Sequence, residues 1–201
     1  MRQKNDFYRT HERLTVGMLE HPRFHSLLSE MDNRLWFEPC AGDLAIAEAV
    51  YKQTGVRMLT NDIDKTRDAD YHLDASQTLV WQKALPDWTI TNPPYREAPT
   101  ILRHAIDYSK CGVIALLRLS FAEPCRNREW LRHYPPSFLL VAGDPRPSFR
   151  LNDAGKHQTD SVTTAWFLWQ KGKNPCMDFL TNDGQKWGTP APADSMVKLE
   201  F

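Results

Sequence analysis

From Leu35 onward the chain alternates short apolar runs with helix-like stretches, and this alternation narrows the architectures open to it more than any other feature. Leu35-Trp36-Phe37, Val56 to Leu59, Tyr71 to Leu73, Trp88-Thr89-Ile90, Val113 to Leu117 and Phe138 to Val141 read as strands. Leu44 to Tyr51 and Ile101 to Tyr108 carry apolar residues three and four apart, the helical period. Strands separated by helices cannot pair as hairpins, so the sheet is expected to be parallel, with helices on both faces. The last block, Thr163 to Trp169, is rich in β-prone residues, and no crossover separates it from Phe138 to Val141. It is expected to run antiparallel. The joining segment, Gly143 to Asp160, is too long and too rich in proline and glycine for a tight hairpin and is expected to be an ordered functional loop.

Before the sheet, Leu14, Met18, Leu19, Phe24, Leu27, Leu28 and Met31 predict one or two packed helices, interrupted at Pro22. A length of 201 residues suits one domain with a continuous core. Within it we expect a helical segment over 1–33, an α/β body over 34–172 and a polar tail over 173–201. The 25 basic and 25 acidic side chains cancel, so the chain has no overall positive field to gather phosphates. Basic residues do outnumber acidic ones between Arg96 and Arg150, which leaves room for a local basic face. Cys40, Cys111, Cys125 and Cys176 form no C-x-x-C pair, and the first six residues are polar, so a reduced, cytoplasmic protein is expected. No stretch approaches the roughly 20 apolar residues that cross a bilayer, and no metal-ligand constellation surrounds His133 or His157. Nothing in the sequence fixes an oligomeric state.

Four places carry chemistry. Phe37-Glu38-Pro39-Cys40-Ala41-Gly42-Asp43 joins the first strand to the first helix, the turn where open α/β sheets bind nucleotide-like ligands, and Gly42 permits close backbone approach. Thr60-Asn61-Asp62-Ile63-Asp64 ends the second run, where a carboxylate can accept from both hydroxyls of a ribose; Asp62 is the first candidate and Asp64 the second. Leu73-Asp74-Ala75-Ser76 closes the third, and Asp74 either accepts from an adenine amino group or caps the helix near Ser76.

The fourth is Thr91-Asn92-Pro93-Pro94-Tyr95. Two prolines cannot continue a sheet interior, so the strand must end there in a stiff loop. A planar amine is a poor nucleophile because its lone pair is delocalised. The Asn92 side-chain oxygen and the Pro93 carbonyl can accept its hydrogens and draw it toward a tetrahedral geometry, while Tyr95 stacks on its ring.

With these motifs the sequence resembles the S-adenosylmethionine-dependent amino-methyltransferases, whose signature is Asn/Asp/Ser-Pro-Pro-Tyr/Phe/Trp, and most of all the DNA N6-adenine enzymes. The resemblance covers roughly Thr10 to Trp169. It implies a Rossmann-like class I fold, S-adenosylmethionine as cofactor and DNA as the favoured partner. It assigns Glu38, Pro39, Cys40, Ala41 and Gly42 to the cofactor loop, Asp62 and Ile63 to the ribose end, and Asp74 and Ala75 to the adenine. Asn92, Pro93, Pro94 and Tyr95 form the catalytic loop, with Asn92 also beside the cofactor, and Thr10 helps hold its methionine part. Pro145 to Phe149, with Thr159-Asp160-Ser161 before Trp166 to Trp169, resembles phage and prophage members. There Phe149 either stacks on the target base or packs under its loop, and Arg146 and Lys156 are candidate substrate contacts.

Two features depart from the family. Leu44 stands where a second glycine is usual, and no block of about 100 residues could serve as a separate target-recognition domain. Methylation of RNA adenine or of a protein glutamine amide, which presents similar geometry, stays open beside DNA. So does a nucleic-acid-binding protein that keeps the fold without catalysis.

Overall fold

The computed structural model describes residues 9–28, 33–142, 147–151, 157–159 and 162–177. Two helices, α1 (Glu12–Glu20) and α2 (Pro22–Leu28), come first. Proline opens α2, where its missing N–H is no loss. Then follow β1 (Trp36–Glu38), α3 (Ala45–Thr54), β2 (Leu59–Thr60), α4 (Thr78–Ala84), β3 (Trp88–Thr91), α5 (Ala98–Tyr108) and β4 (Gly112–Arg118). A 3₁₀ turn (Leu119–Ala122), α6 (Cys125–His133), β5 (Phe138–Ala142), β6 (Pro147–Leu151), β7 (His157–Thr159) and β8 (Thr164–Gln170) complete the order.

Six strands form one sheet in the order β2-β1-β3-β4-β8-β5. The first four are parallel, and β8 runs antiparallel to both β4 and β5, as its lack of a crossover required. The expected α/β architecture is therefore present. Two details differ from the sequence reading. The run from Val56 contributes just Leu59 and Thr60, because β1 is three residues long and offers partners at Phe37 and Glu38 alone; Tyr71 adds a single bridge to Asn61. Inside the expected loop from Gly143 to Asp160 lies a separate two-stranded ribbon, β6 with β7.

Side-chain alternation splits the core into two layers. Val113, Ala115 and Leu117 of β4 join Phe167 and Trp169 of β8 on one face, against Val80 and Trp81 of α4 and Leu102 of α5. Ile114, Leu116, Trp166 and Leu168 face the other way, against Met18 of α1, Phe24 of α2 and Ile46 of α3. Strands covered on both faces must be apolar throughout, which is why β4 and β8 read as unbroken hydrophobic runs. Trp36, Trp166, Phe167 and Trp169 are structural aromatics, all four buried. Close packing also explains Gly112: a Cβ there would lie 2.4 Å from the Trp169 carbonyl oxygen and 2.5 Å from the Trp88 ring.

Candidate active site

Parallel strands all present their carboxyl ends at one edge, so Glu38, Asn61, Asn92 and Arg118, which end or follow β1 to β4, emerge together. This is the crevice where ligands bind in open α/β sheets.

The loop after β1 is held from below and from the side. Glu38 is buried, and its Oε2 accepts from the Ala47 N–H at 3.1 Å, at the start of α3. Burial pushes its carboxyl well above the ordinary range, the Ala47 N–H opposes that, and Asp43 and Asp62 push it further up. Gly42 takes a left-handed φ of 55°, and its N–H donates to Asp62 Oδ2 at 2.8 Å. Leu44, at the position of the usual second glycine, is also left-handed (φ 65°, ψ 16°). The backbone path of a glycine is kept without the glycine, at a cost of about 1–2 kcal/mol of local strain. Cys40 is half-buried. Burial first, then Asp62 and Glu38, push its thiol far above the ordinary range, so it stays neutral.

The acid pair after β2 is resolved by partners. Asp64 turns on itself, its Oδ1 accepting from the N–H and hydroxyl of Thr66. Asp62 instead reaches the glycine loop and also accepts from the Asp64 N–H at 2.8 Å. Ile63 beside it is 57% exposed, an apolar side chain set at the crevice edge. Asp74 binds the N–H and hydroxyl of Ser76 through Oδ1 and so closes the turn before α4; the helix itself starts at Thr78, and Asp74 does not cap it. Ala75 is buried in the core, and its carbonyl accepts from Trp81 Nε1.

The Asn92-Pro93-Pro94-Tyr95 loop follows β3, whose four residues are all buried. Asn92 Nδ2 donates to the hydroxyl of Thr10 at 3.1 Å, across 82 positions of sequence. Thr10 is buried, and its neighbour Arg9 pairs with Asp43 at 2.8 Å, so the segment before α1 ties the glycine loop to the loop after β3. That contact fixes the amide, with its oxygen on the edge turned away from Thr10. Pro93 is buried, and the Pro94 carbonyl accepts from the Glu97 N–H as α5 begins. Tyr95 is half-buried, with the Arg118 guanidinium 4.4 Å from its ring centroid. Arg146 and Lys156 lie outside the described residues, and Phe149 is placed by its backbone within β6.

Two residues here were not singled out from sequence. Asn61 is fully buried; its Nδ2 donates to the carbonyls of Pro39 and Leu73, and its Oδ1 accepts from the Leu73 N–H. It joins the loop after β1 to the segment bearing Asp74. A buried asparagine leaves no periodic signature. Arg118 had a signal, a charge closing the longest apolar strand run.

Neither a protein-family profile nor a curated protein matches this sequence. Solved structures do. A Pyrococcus horikoshii protein assigned as an RNA methyltransferase matches with a TM-score of 0.57 at 13% identity, over 83% of this chain and 88% of that one. The M protein of the type I restriction enzyme EcoKI also reaches 0.57, at 12% identity, over 81% of this chain and 44% of that one. This chain has the fold of the S-adenosylmethionine-dependent methyltransferases. Precorrin 8w decarboxylase of Methanobacterium thermoautotrophicum shares it as well, with a TM-score of 0.52 at 14% identity over 79% and 90% of the two chains. At such identities the likeness defines the fold, and the substrate has to be argued from the site. No described helix is long and apolar enough to cross a membrane.

Proposed function

We propose that this chain transfers a methyl group from S-adenosylmethionine to the N6 amino nitrogen of adenine in DNA. The observation that carries the reading is Asn92: it begins a rigid Pro-Pro-Tyr loop at the carboxyl end of β3, and its amide is oriented by Thr10.

The residues present fit the cofactor. Gly42 and the left-handed Leu44 keep the main chain low, Asp62 offers carboxylate lone pairs for a ribose, and Ile63 offers an apolar edge for an adenine. Glu38, Asp43, Asp62 and Asp74 make this edge acidic, which suits a ligand bearing a sulfonium and an ammonium. When bound, S-adenosylmethionine supplies an electrophilic methyl group. Pro39, Cys40, Ala41 and Ala75 shape the bed around it, and Thr10 lies where both the cofactor and Asn92 can be touched.

The chain's own work is positional. Asn92 Oδ1 and the Pro93 carbonyl accept the two hydrogens of the target amine and raise its nucleophilicity, in a place that excludes bulk water. Tyr95 stacks on the base. In a duplex the adenine must leave the helix, and Tyr95 offsets part of the lost stacking. The methylated nitrogen then carries an extra proton, which passes to water, since the amide and carbonyl oxygens that accept its hydrogen bonds are too weakly basic to keep it.

Calorimetry with S-adenosylmethionine is the first test, and absent binding sinks the enzyme reading in favour of an inactive nucleic-acid binder. The second offers tritiated cofactor to unmethylated duplex DNA, single-stranded DNA, total RNA and a protein extract. Label in N6-methyladenine from DNA is expected; label confined to RNA or to protein glutamine replaces DNA with that substrate.

A further inference from the structure

Arg118 stands above the catalytic loop for a reason of register. Thr91, the last residue of β3, pairs with Ala115, while β4 continues through Leu116, Leu117 and Arg118. At about 3.3 Å per residue, three further residues lift Arg118 about 10 Å past the tip of β3, to the level of the Pro-Pro-Tyr loop. There its guanidinium covers one face of the Tyr95 ring. A guanidinium laid on an aromatic face is held in place while its N–H donors point outward from the rim, the arrangement suited to forked recognition of an oxyanion. The position is also anchored from the far side, because Arg118 pairs with Thr164 and the Leu119 N–H donates to the Thr163 carbonyl at 2.8 Å. The chain therefore enters β8 beside Arg118.

Charge supplies the second observation. The 25 basic and 25 acidic side chains give no net field to collect a polyanion, and the crevice wall on the cofactor side carries Asp62 and Asp74, with Asp43 paired to Arg9 and Glu38 buried beneath. A polyanionic substrate approaching that wall requires a fixed local cation on the other side of the catalytic loop. Arg118 is placed there.

We propose that Arg118 binds a phosphate of the target strand next to the nucleotide presented to Asn92, and so selects a phosphodiester-linked base over an amide in a protein. The proposal rests on the amine-methylating reading given above. It distinguishes Arg118 from a residue that merely buttresses Tyr95, since a buttress has no reason to respond to salt or to the charge of the substrate backbone.

The test measures binding by fluorescence anisotropy, with a labelled adenine-containing duplex, from 50 to 300 mM KCl. Arg118→Gln is expected to weaken binding about 10-fold and to reduce the slope of log Kd against log salt by about one, while Arg118→Lys keeps the slope and the Kd for S-adenosylmethionine stays unchanged in both. With the unaltered protein, uncharged methylphosphonate linkages flanking the methylated adenine are expected to weaken binding about 10-fold, which tests the proposal even if a variant does not fold. An unchanged slope in Arg118→Gln, or indifference to the methylphosphonates, overturns the proposal and leaves the methyltransferase reading standing. Methyl transfer by the unaltered protein to protein extract alone, with none to DNA or RNA, overturns the proposal together with the DNA substrate, and absent binding of S-adenosylmethionine overturns the methyltransferase reading itself.

Discussion

The two ends of the central sheet handle buried carboxylates in opposite ways. At the amino ends, Asp87 accepts from the Leu35 N–H at 2.8 Å and pairs with Lys110 at 3.2 Å. Burial raises its carboxyl, but those two partners, with Arg34 nearby, outweigh it and leave it below the ordinary value. The shallow cavity there, about 270 Å³, is lined by Arg34, Lys110 and Lys171 with Trp88, Cys111 and Gln170. At the carboxyl ends, Glu38 has no cation among its dominant influences; Asp43 and Asp62 push it upward together with burial. The first end satisfies its charge and closes the structure. The second sets like charges around Glu38 and meets them with backbone N–H groups, at Ala47 for Glu38 and at Gly42 for Asp62, while Arg9 pairs with Asp43.

Substitutions can break this contrast, the largest effects lying at the carboxyl ends. Asn92→Ala is expected to reduce kcat by about 10²–10³-fold or more, with the calorimetric Kd for S-adenosylmethionine within a few-fold of the parent. Activity that survives places catalysis elsewhere. Asp62→Ala should raise that Kd by about 10- to 100-fold, the loss of hydrogen bonds to a charged acceptor, whereas Asp87→Asn should lower stability and leave the Kd alone. Equal effects of the two on binding would erase the distinction between the ends.

At the amino end of β4, Gly112→Ala is expected to cost about 1–3 kcal/mol by urea unfolding, because Trp88 and the Trp169 carbonyl must move. The smallest effect is in pH dependence. Glu38 is raised above 4.5 in the folded state, so that state binds its proton more tightly than the unfolded chain; its contribution is full below 4.5 and falls as pH rises toward the folded value. Asp87 is lowered below 3.8, so its contribution is present above 3.8 and lost as pH falls through the folded value. Unfolding from pH 3 to 8 should therefore show Glu38→Gln flattening the upper limb and Asp87→Asn the lower.

Where chemistry was local, the sequence could be read. Asn92-Pro93-Pro94-Tyr95 had to end a strand, since prolines cannot join a ladder, and it follows β3 directly. The antiparallel direction of β8 followed from a missing crossover, and the two-sided burial of β4 from its unbroken apolar run. Choices among near-equals were not legible. Asp62 and Asp64 look alike in a string, and one is distinguished by a glycine N–H 20 positions away. Leu44 read as a departure that bulk would make awkward, yet the chain takes the glycine's φ there.

The sequence by itself determined the order of the elements and the strand that ends in the Asn92-Pro93-Pro94-Tyr95 loop, because these depend on backbone propensities a few residues apart. Tertiary structure alone decided which edges meet: Thr10 against Asn92, Asn61 beneath Pro39 and Leu73, Arg118 over Tyr95. Those pairings arise from strand register and packing between distant segments, and no local pattern encodes a register.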